Sequence, residues 1–437
     1  MNHTQNVILI TIDCLRVDCI GCLGHRHQAT PNIDDLVRNG VLFSQAISNG
    51  VGTPESFPSI MTSTYPLMSP NSGGLHDSFW VKLSSKWHTI AEVLRSREFS
   101  TAAFNANPWL TSIFHYDRGF DIFDDSLKSY RRNNVFDKLR RKLGTLRGDK
   151  FLRAKLINKK AFSWLRNNLD RFFLWLHYMD VHSPYNPKKI SKLKRIDAIR
   201  LERKISRNPQ TFSKKELERW KSFYQEEIAY VDREIGFFLD ELEHIGISSD
   251  NTFLILTADH GEQFMEHGEW GHGRLYDEVL RVPVIVNGPG IIRNTVIENQ
   301  VSLLDLAPTI VDLFNIPKVQ TFLGTSLVPM MKDGGAKSNK YVISETLTQN
   351  FSCRTEDWKY ITDRKDRREL YNLQVDPNEK TNLASRETKK VKELNAIVSK
   401  HILMEEKAKQ SIPEEHAVLH KKEMEVIKER LKQLGYL

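Results

Sequence analysis

The sequence predicts an α/β fold, an αβα sandwich around a mostly parallel central sheet, followed by a small C-terminal α+β subdomain. Three observations carry this reading. Five short apolar runs, at residues 7–12, 101–105, 172–178, 252–257 and 282–287, have the length of buried strands and are closed by polar or turn residues. Helical patterns separate them, the clearest being Tyr224, Ile228, Val231, Ile235, Leu239 and Leu242 at i+3 and i+4 spacing. The runs are continuously apolar rather than alternating, as in parallel strands covered on both faces.

The 437 residues suffice for one large domain with a smaller one attached. We expect a catalytic domain over 1–335, carrying a basic insertion at about 126–220, and a C-terminal part over 336–437. Within that part, strands are expected around 359–362 and 369–373, and a charged helical tail from Thr388, interrupted at Pro413. A composition of 40% hydrophobic and 27% charged residues excludes collagen-like, mucin-like and coiled-coil proteins.

The net charge of +8 is local in origin. Residues 128–166 hold 14 basic side chains against Asp137 and Asp149, a segment charge of +12 that leaves −4 for the rest. Leu139, Leu143, Leu146, Phe151, Leu152, Leu156 and Ile157 interleave with these charges. The segment therefore suits a solvated helical insertion, a contact with an anionic membrane surface, or a guide for a polyanionic glycan. No nucleic-acid motif accompanies it, so no nucleic-acid partner is expected.

Four cysteines do not make a disulfide framework, and Cys19 and Cys22 form a C-x-x-C without a second pair. The apolar run at the N-terminus is too short for a signal-peptide core, and no segment has the length of a membrane span. The expected location is cytoplasmic, with peripheral membrane attachment through the basic segment as an extension of it.

Chemistry is expected where strands end, because parallel sheets present their ligands beyond the carboxyl ends of strands. Asp13 follows the first run, and Asp259 and His260 follow the fourth. Two carboxylates and an imidazole suit one divalent cation, Ca²⁺, Mn²⁺, Mg²⁺ or Zn²⁺. Isolated strand-end acids also cap helices, but three such groups together favour the metal reading. Thr53, Pro54 and Glu55 read as a helix start with the Thr at the N-cap. A helix N-terminus attracts anions, and a hydroxyl beside a cation is a candidate nucleophile. His182 and His272 are candidates to bind substrate oxygens or protonate a leaving alcohol. Asp180, with His182 and His272, is an alternative second cation site.

Segments 6–18 (NVILITIDCLRVD), 30–36 (TPNIDDL), 257–262 (TADHGE), 275–283 (LYDEVLRVP) and 301–309 (VSLLDLAPT) together resemble the sulfatase family of the alkaline-phosphatase-like superfamily. The stretch ELYNL at 369–373, with Asp376-Pro377 and Thr381-Asn382-Leu383, is similar to that family's C-terminal subdomain. The resemblance implies a metal-dependent ester hydrolase with Asp13, Asp259 and His260 on the metal. It departs at the nucleophile motif, C-x-P-x-R or S-x-P-x-R in typical members, whose first residue becomes formylglycine. Thr53 stands at the first position here, Glu55 at the Pro and Phe57 at the Arg, so no formylglycine is expected. Cys14 occupies a position often acidic in the family, and His272 that of an expected Lys. These departures resemble the superfamily's threonine branch, which acts on phosphodiesters or transfers phosphoryl-alcohol groups. Sulfate and phosphate esters both stay open as substrates, phosphodiesters and phosphonates being favoured, and Ser56 is a second candidate nucleophile. A phosphoryl-alcohol transferase acting on a glycan or lipid, and a non-catalytic binding protein of this fold, are the alternatives.

Overall fold

The computed structural model describes residues 6–24, 30–69, 81–125, 152–185, 192–333, 340–365, 367–412 and 425. Its main sheet has nine strands: β1 (Asn6–Ile12), β2 (Val41–Ile47), β3 (Ser100–Phe104), β4 (Ile122–Asp124), β5 (Phe172–Tyr178), β6 (Thr252–Ala258), β9 (Arg281–Asn287), β10 (Thr295–Ile297) and β11 (Val301–Ser302). Their order is β10-β2-β9-β6-β1-β5-β3-β4, with β11 beside β2. A two-stranded ribbon, β7 (Gln263–Phe264) with β8 (Trp270–Gly271), projects from the loop after β6. All seven residues of β1 are buried, which is why its sequence reads NVILITI without alternation.

Strand β1 is parallel to both β5 and β6, and β3 is parallel to β5 and β4. Strand β9, by contrast, is antiparallel to β6 on one side and to β2 on the other. The run at 282–287 is therefore the exception to the parallel sheet: an apolar run signals burial but not direction. The double reversal leaves β2 pointing the same way as β6, β1, β5 and β3. Their carboxyl ends share one edge, and β9 reaches that edge with its amino end.

The helices are α1 (Pro31–Arg38), α2 (Thr53–Thr62), α3 (Ile90–Arg95), α4 (Ala154–Leu165), α5 (Lys192–Arg207), α6 (Lys214–His244), α7 (Asp277–Leu280), α8 (Leu306–Leu313), α9 (Val328–Asp333) and α10 (Thr388–Gln410). Helix α6 opens with a capping box between Ser213 and Glu216 and buries Trp220, Tyr224, Ile228, Val231 and Ile235 along one face. It packs on α1 and α4, while α8 packs on α2 and α3, the two helical layers of the sandwich.

The C-terminal sheet is antiparallel, in the order β12 (Val342–Glu345), β13 (Asn350–Arg354), β14 (Trp358–Asp363) and β15 (Arg368–Asn372). Helix α10 closes it by packing Val391, Leu394 and Val398 against Ile343, Phe351, Tyr360 and Leu370. Of its strands, β12 and β13 were not foreseen. The tail beyond 412, apart from Glu425, lies outside the described residues, as does most of the basic segment (126–151).

What is described of the basic segment differs from a uniformly solvated face. Arg153 is buried, its guanidinium 2.7 Å from Asp180 and 2.8 Å from Glu227. Ile157, Ala161 and Leu165 of α4 are buried too. Strand β5 also falls within 126–220 and pairs with β1 and β3, so that range is not one continuous insertion. Cys19 is buried, Cys22 is exposed, and all four cysteines are free thiols. Among the described residues, no helix is long and apolar enough to cross a membrane.

Candidate active site

The shared edge gathers residues far apart in sequence. Strand β1 delivers Asp13, β6 delivers Asp259 and His260, β5 leads to His182, and the ribbon β7–β8 leads to His272 ahead of β9. Strand β2 runs through a glycine-bounded turn into α2, whose first residue is Thr53. The N-cap is Gly52, in an extended conformation, rather than Thr53 as the sequence suggests. The displacement by one residue matters, because a capping hydroxyl would turn back to its own helix. Instead, Thr53 Oγ1 lies 3.3 Å from Asp13 Oδ2 and 3.1 Å from Asp259 Oδ2.

Asn107 was missed in the sequence and belongs to the same cluster. Its side-chain amide donates to Asp13 Oδ2 at 2.9 Å and to Thr53 Oγ1 at 3.1 Å. Its own carbonyl oxygen accepts from Trp109 N, and its backbone N–H donates to Asn105 Oδ1, so the turn after β3 fixes the amide. The strand-end rule that found Asp13 and Asp259 also applies to β3, but a neutral amide gives no charge signal. Ser56 faces elsewhere, its hydroxyl 3.0 Å from that of Ser48.

His260 is wholly buried, with Nδ1 2.9 Å from the Gly261 carbonyl. Its Nε2 is buried without a hydrogen-bond partner and stands 3.6 Å from an oxygen of each aspartate. Donor atoms of Asp13, Asp259 and His260 all lie within 4.8 Å of one another. Two buried carboxylates and an unpaired imidazole nitrogen facing a common point fit a divalent cation, which would offset their mutual repulsion.

The electrostatics agree with that fit. Burial, then the charge of Asp13, pushes the Asp259 carboxyl well above the usual carboxylate range. Burial opposes ionisation of Asp13 too, but the imidazoles of His182, His177 and His260 outweigh it and hold this carboxyl low. Burial and the neighbouring His272 press His260 down to about 3, leaving it neutral and able to ligate. His182 is also shifted down, chiefly by burial. His272 goes the other way: burial lowers it, but Glu262 Oε1, 3.2 Å from Nδ1, wins and raises it. Cys14 Sγ lies 3.2 Å from Asp13 Oδ1, and burial followed by the charge of Glu262 pushes its thiol well up.

Rings of His182 and His272 have centroids 5.3 Å apart, and those of His260 and His272 are 4.4 Å apart. The six residues singled out in the sequence, Asp13, Thr53, His182, Asp259, His260 and His272, thus converge. Asp180 does not join them, because its carboxylate holds Arg153 and the Ala154 N–H. Phe57 is fully buried against Trp175 and His177.

The segment around His260 is braced from the C-terminal sheet. Gly261 N donates to Val279 O at 2.7 Å, so α7 holds the chain beside His260. A side chain at Gly261 would place Cβ 2.2 Å from Glu278 O, which only glycine avoids. Helix α7 in turn is pinned through Asp277, which pairs with Arg354 at 2.9 Å and with the fully buried Lys359 at 2.8 Å. Glu55 Oε1 accepts from Leu347 N at 3.0 Å, tying the first turn of α2 to the same sheet.

Burial would raise the Asp277 carboxyl, but Arg354 and Lys359 hold it far below its ordinary value. A depressed folded-state pKa adds stability above the unfolded value, and this is lost as pH falls toward the folded one. The stability gap between wild type and Asp277→Asn should therefore be full at neutral pH and narrow below about pH 4. Urea titrations at stepped pH measure it, and a gap independent of pH contradicts the assignment.

Residues 5–316 match the family model described as Sulfatase, and residues 265–409 match N-sulphoglucosamine sulphohydrolase, C-terminal. Arylsulfatase K of Gallus gallus is 31% identical over 202 residues, covering 43% of this chain and only 38% of that protein's length. An arylsulfatase of Clostridium perfringens is 24% identical over 453 residues, covering 87% of this chain and 90% of that protein. Phosphonate monoester hydrolase of Agrobacterium radiobacter superposes with a TM-score of 0.71 at 18% identity, over 92% of this chain and 95% of that one. At that identity the likeness is one of fold.

Proposed function

Since the chain belongs to the sulfatase family, we propose that it is a metal-dependent ester hydrolase with Thr53 as nucleophile, acting on phosphodiesters or phosphonate esters in preference to sulfate esters. The observation that carries this is the Thr53 hydroxyl, set within 3.3 Å of both aspartates where the typical motif has its formylglycine precursor. Threonine cannot become formylglycine, and Phe57 fills the place of the motif's Arg with an aromatic cluster. A formylglycine hydrate can expel sulfate by collapsing to the aldehyde. A threonine ester has no such route and must be opened by attack of water on the central atom, which suits a phosphoryl group.

The residues divide the work as follows. Thr53 Oγ1 attacks phosphorus in line and the bond to the leaving alkoxide breaks. Asp259 Oδ2, 3.1 Å away, is placed to take the hydroxyl proton and to return it to the Thr53 oxygen when water displaces it. Asn107 orients the hydroxyl through its amide. His272, whose pKa Glu262 raises against burial, is placed to give a proton to the departing alcohol and recover one from the water that releases Thr53. His182 binds an equatorial oxygen. A divalent cation held by Asp13, Asp259 and His260 would supply Lewis acidity, lowering the hydroxyl pKa and polarising the ester.

The test is a panel of aryl sulfate, phosphate monoester, phosphodiester and phosphonate monoester with Ca²⁺, Mn²⁺, Mg²⁺ or Zn²⁺. Phosphodiester or phosphonate should give the highest kcat/KM, and acid quenching should trap a phosphoryl adduct on Thr53 by mass spectrometry. Highest turnover of aryl sulfate with no Thr53 adduct overturns the proposal.

A further inference from the structure

A second cluster of metal-ligating side chains lies outside the active site, between the C-terminal sheet and its helix. Strand β12 ends on Glu345, and α10 presents His401 and Glu405, one turn apart on one face. His401 Nε2 stands 2.9 Å from Glu345 Oε2 and 3.3 Å from Glu405 Oε1. All three residues are at least nine-tenths buried, and one donor atom from each lies within 4.8 Å of the others. We propose that Glu345, His401 and Glu405 bind a second divalent ion of the Zn²⁺ class, which fastens α10 to the C-terminal sheet.

The ledger of polar partners supports this. A single Nε2 nitrogen faces two buried carboxylates, and its one proton can serve only one of them. Glu405 Oε1 is left buried without a hydrogen-bond partner and aimed at the cluster. Among the described residues, neither carboxylate has a Lys or Arg partner, so the positive charge that a buried pair of acids needs comes from His401 alone, which the two carboxylates push up to about 9 against the effect of burial. A tetrahedral ion with bonds of about 2.0–2.2 Å keeps its donors roughly 3.3–3.6 Å apart. The contact to Glu405, at 3.3 Å, already has that spacing, and the one to Glu345, at 2.9 Å, would open by about half an ångström.

The surroundings are those of a structural site. Leu67 N donates to Glu345 Oε1 at 2.7 Å, which turns the other oxygen toward His401, as outer partners of ligands do. The rings of Tyr65 and Phe351 wall the imidazole at 4.4 and 6.3 Å between centroids. One imidazole and two carboxylates make a donor set that Zn²⁺ accepts, with a fourth position left for water.

The proposal is independent of catalysis, so its test reads metal content in the full chain. Asp259→Asn removes a ligand of the active-site ion, and in that background one Zn²⁺ per chain should survive gel filtration and be counted by plasma mass spectrometry. Adding Glu405→Gln should abolish that ion, and adding His401→Gln should do the same. Co²⁺ loaded into the Asp259→Asn protein should show the visible absorption of a tetrahedral site. Should His401→Gln fail to fold, Glu405→Gln decides alone, since it alters one oxygen. Absence of Zn²⁺ from the Asp259→Asn protein, or its full retention after Glu405→Gln, overturns the proposal.

Discussion

Replacing Thr53 by Ala is expected to lower kcat roughly 10⁴- to 10⁶-fold on whichever ester the chain cleaves best, the range seen when a nucleophile is deleted. The substitution removes one oxygen from a buried position at the start of α2, where Gly52 already provides the cap. The fold should therefore survive, and circular dichroism with metal content would show it. Asn107 keeps its 2.9 Å bond to Asp13, so the cluster does not collapse into the gap. Ser56→Ala is the matched control. Its hydroxyl partners Ser48, which donates to the Asp259 carbonyl at 2.6 Å, so a loss of no more than about tenfold, or 1.4 kcal/mol, is expected. Loss confined to Ser56→Ala, with Thr53→Ala active, would transfer the nucleophile's role to Ser56.

The largest effect on stability is expected at Arg153. Its guanidinium is the shared partner of Asp180 and Glu227, both with fully buried side chains, and it lies 4.2 Å from the Tyr230 ring centroid. Arg153→Met removes the positive charge that Asp180 and Glu227 share and should cost about 3–5 kcal/mol in urea denaturation. Adding Asp180→Asn and Glu227→Gln should recover much of this, because the penalty lies in keeping two buried negative charges rather than in the missing cation. A loss under 1 kcal/mol from Arg153→Met would show that water reaches the pair. Asp180 precedes His182 by two residues, so the single variant should also loosen the active site, whereas the triple variant should restore it.

These two sites differ in how plainly the sequence announces them. Asp13, Asp259 and His260 were legible because continuous apolar runs ended abruptly in ionisable groups, and a sheet turns such ends to one edge. His182 was legible from its place between a strand and a Pro-containing turn, and His272 from the glycine-punctuated loop after Asp259 and His260. Asn107 escaped because nothing about a neutral amide marks it out until the carboxylate beside it is seen. Strand β2 escaped because Ser44 and Gln45 break its apolar run, at the point where its pairing with β9 shifts register between Phe43 and Ala46. His401 and Glu405 lay in a stretch expected only as a charged helical tail. Their burial comes from packing against strands more than 30 residues away, which no local pattern records. The partners of Arg153 were hidden for the same reason, one of them lying in α6.

The place of β1 in the sheet has a consequence for the chain as it leaves the ribosome. One of its two neighbours, β6, pairs with it across 246 residues, from Asn6 to Thr252. At about 5–20 residues per second, the interval between their synthesis is roughly 12–50 s. Strand β5 emerges sooner and can cover only one side. Strand β1, buried along its whole length, is thus made before either neighbour and completed late. The time that β1 spends without its second neighbour is then set by strand order, and substitutions at the active-site edge should leave it unchanged.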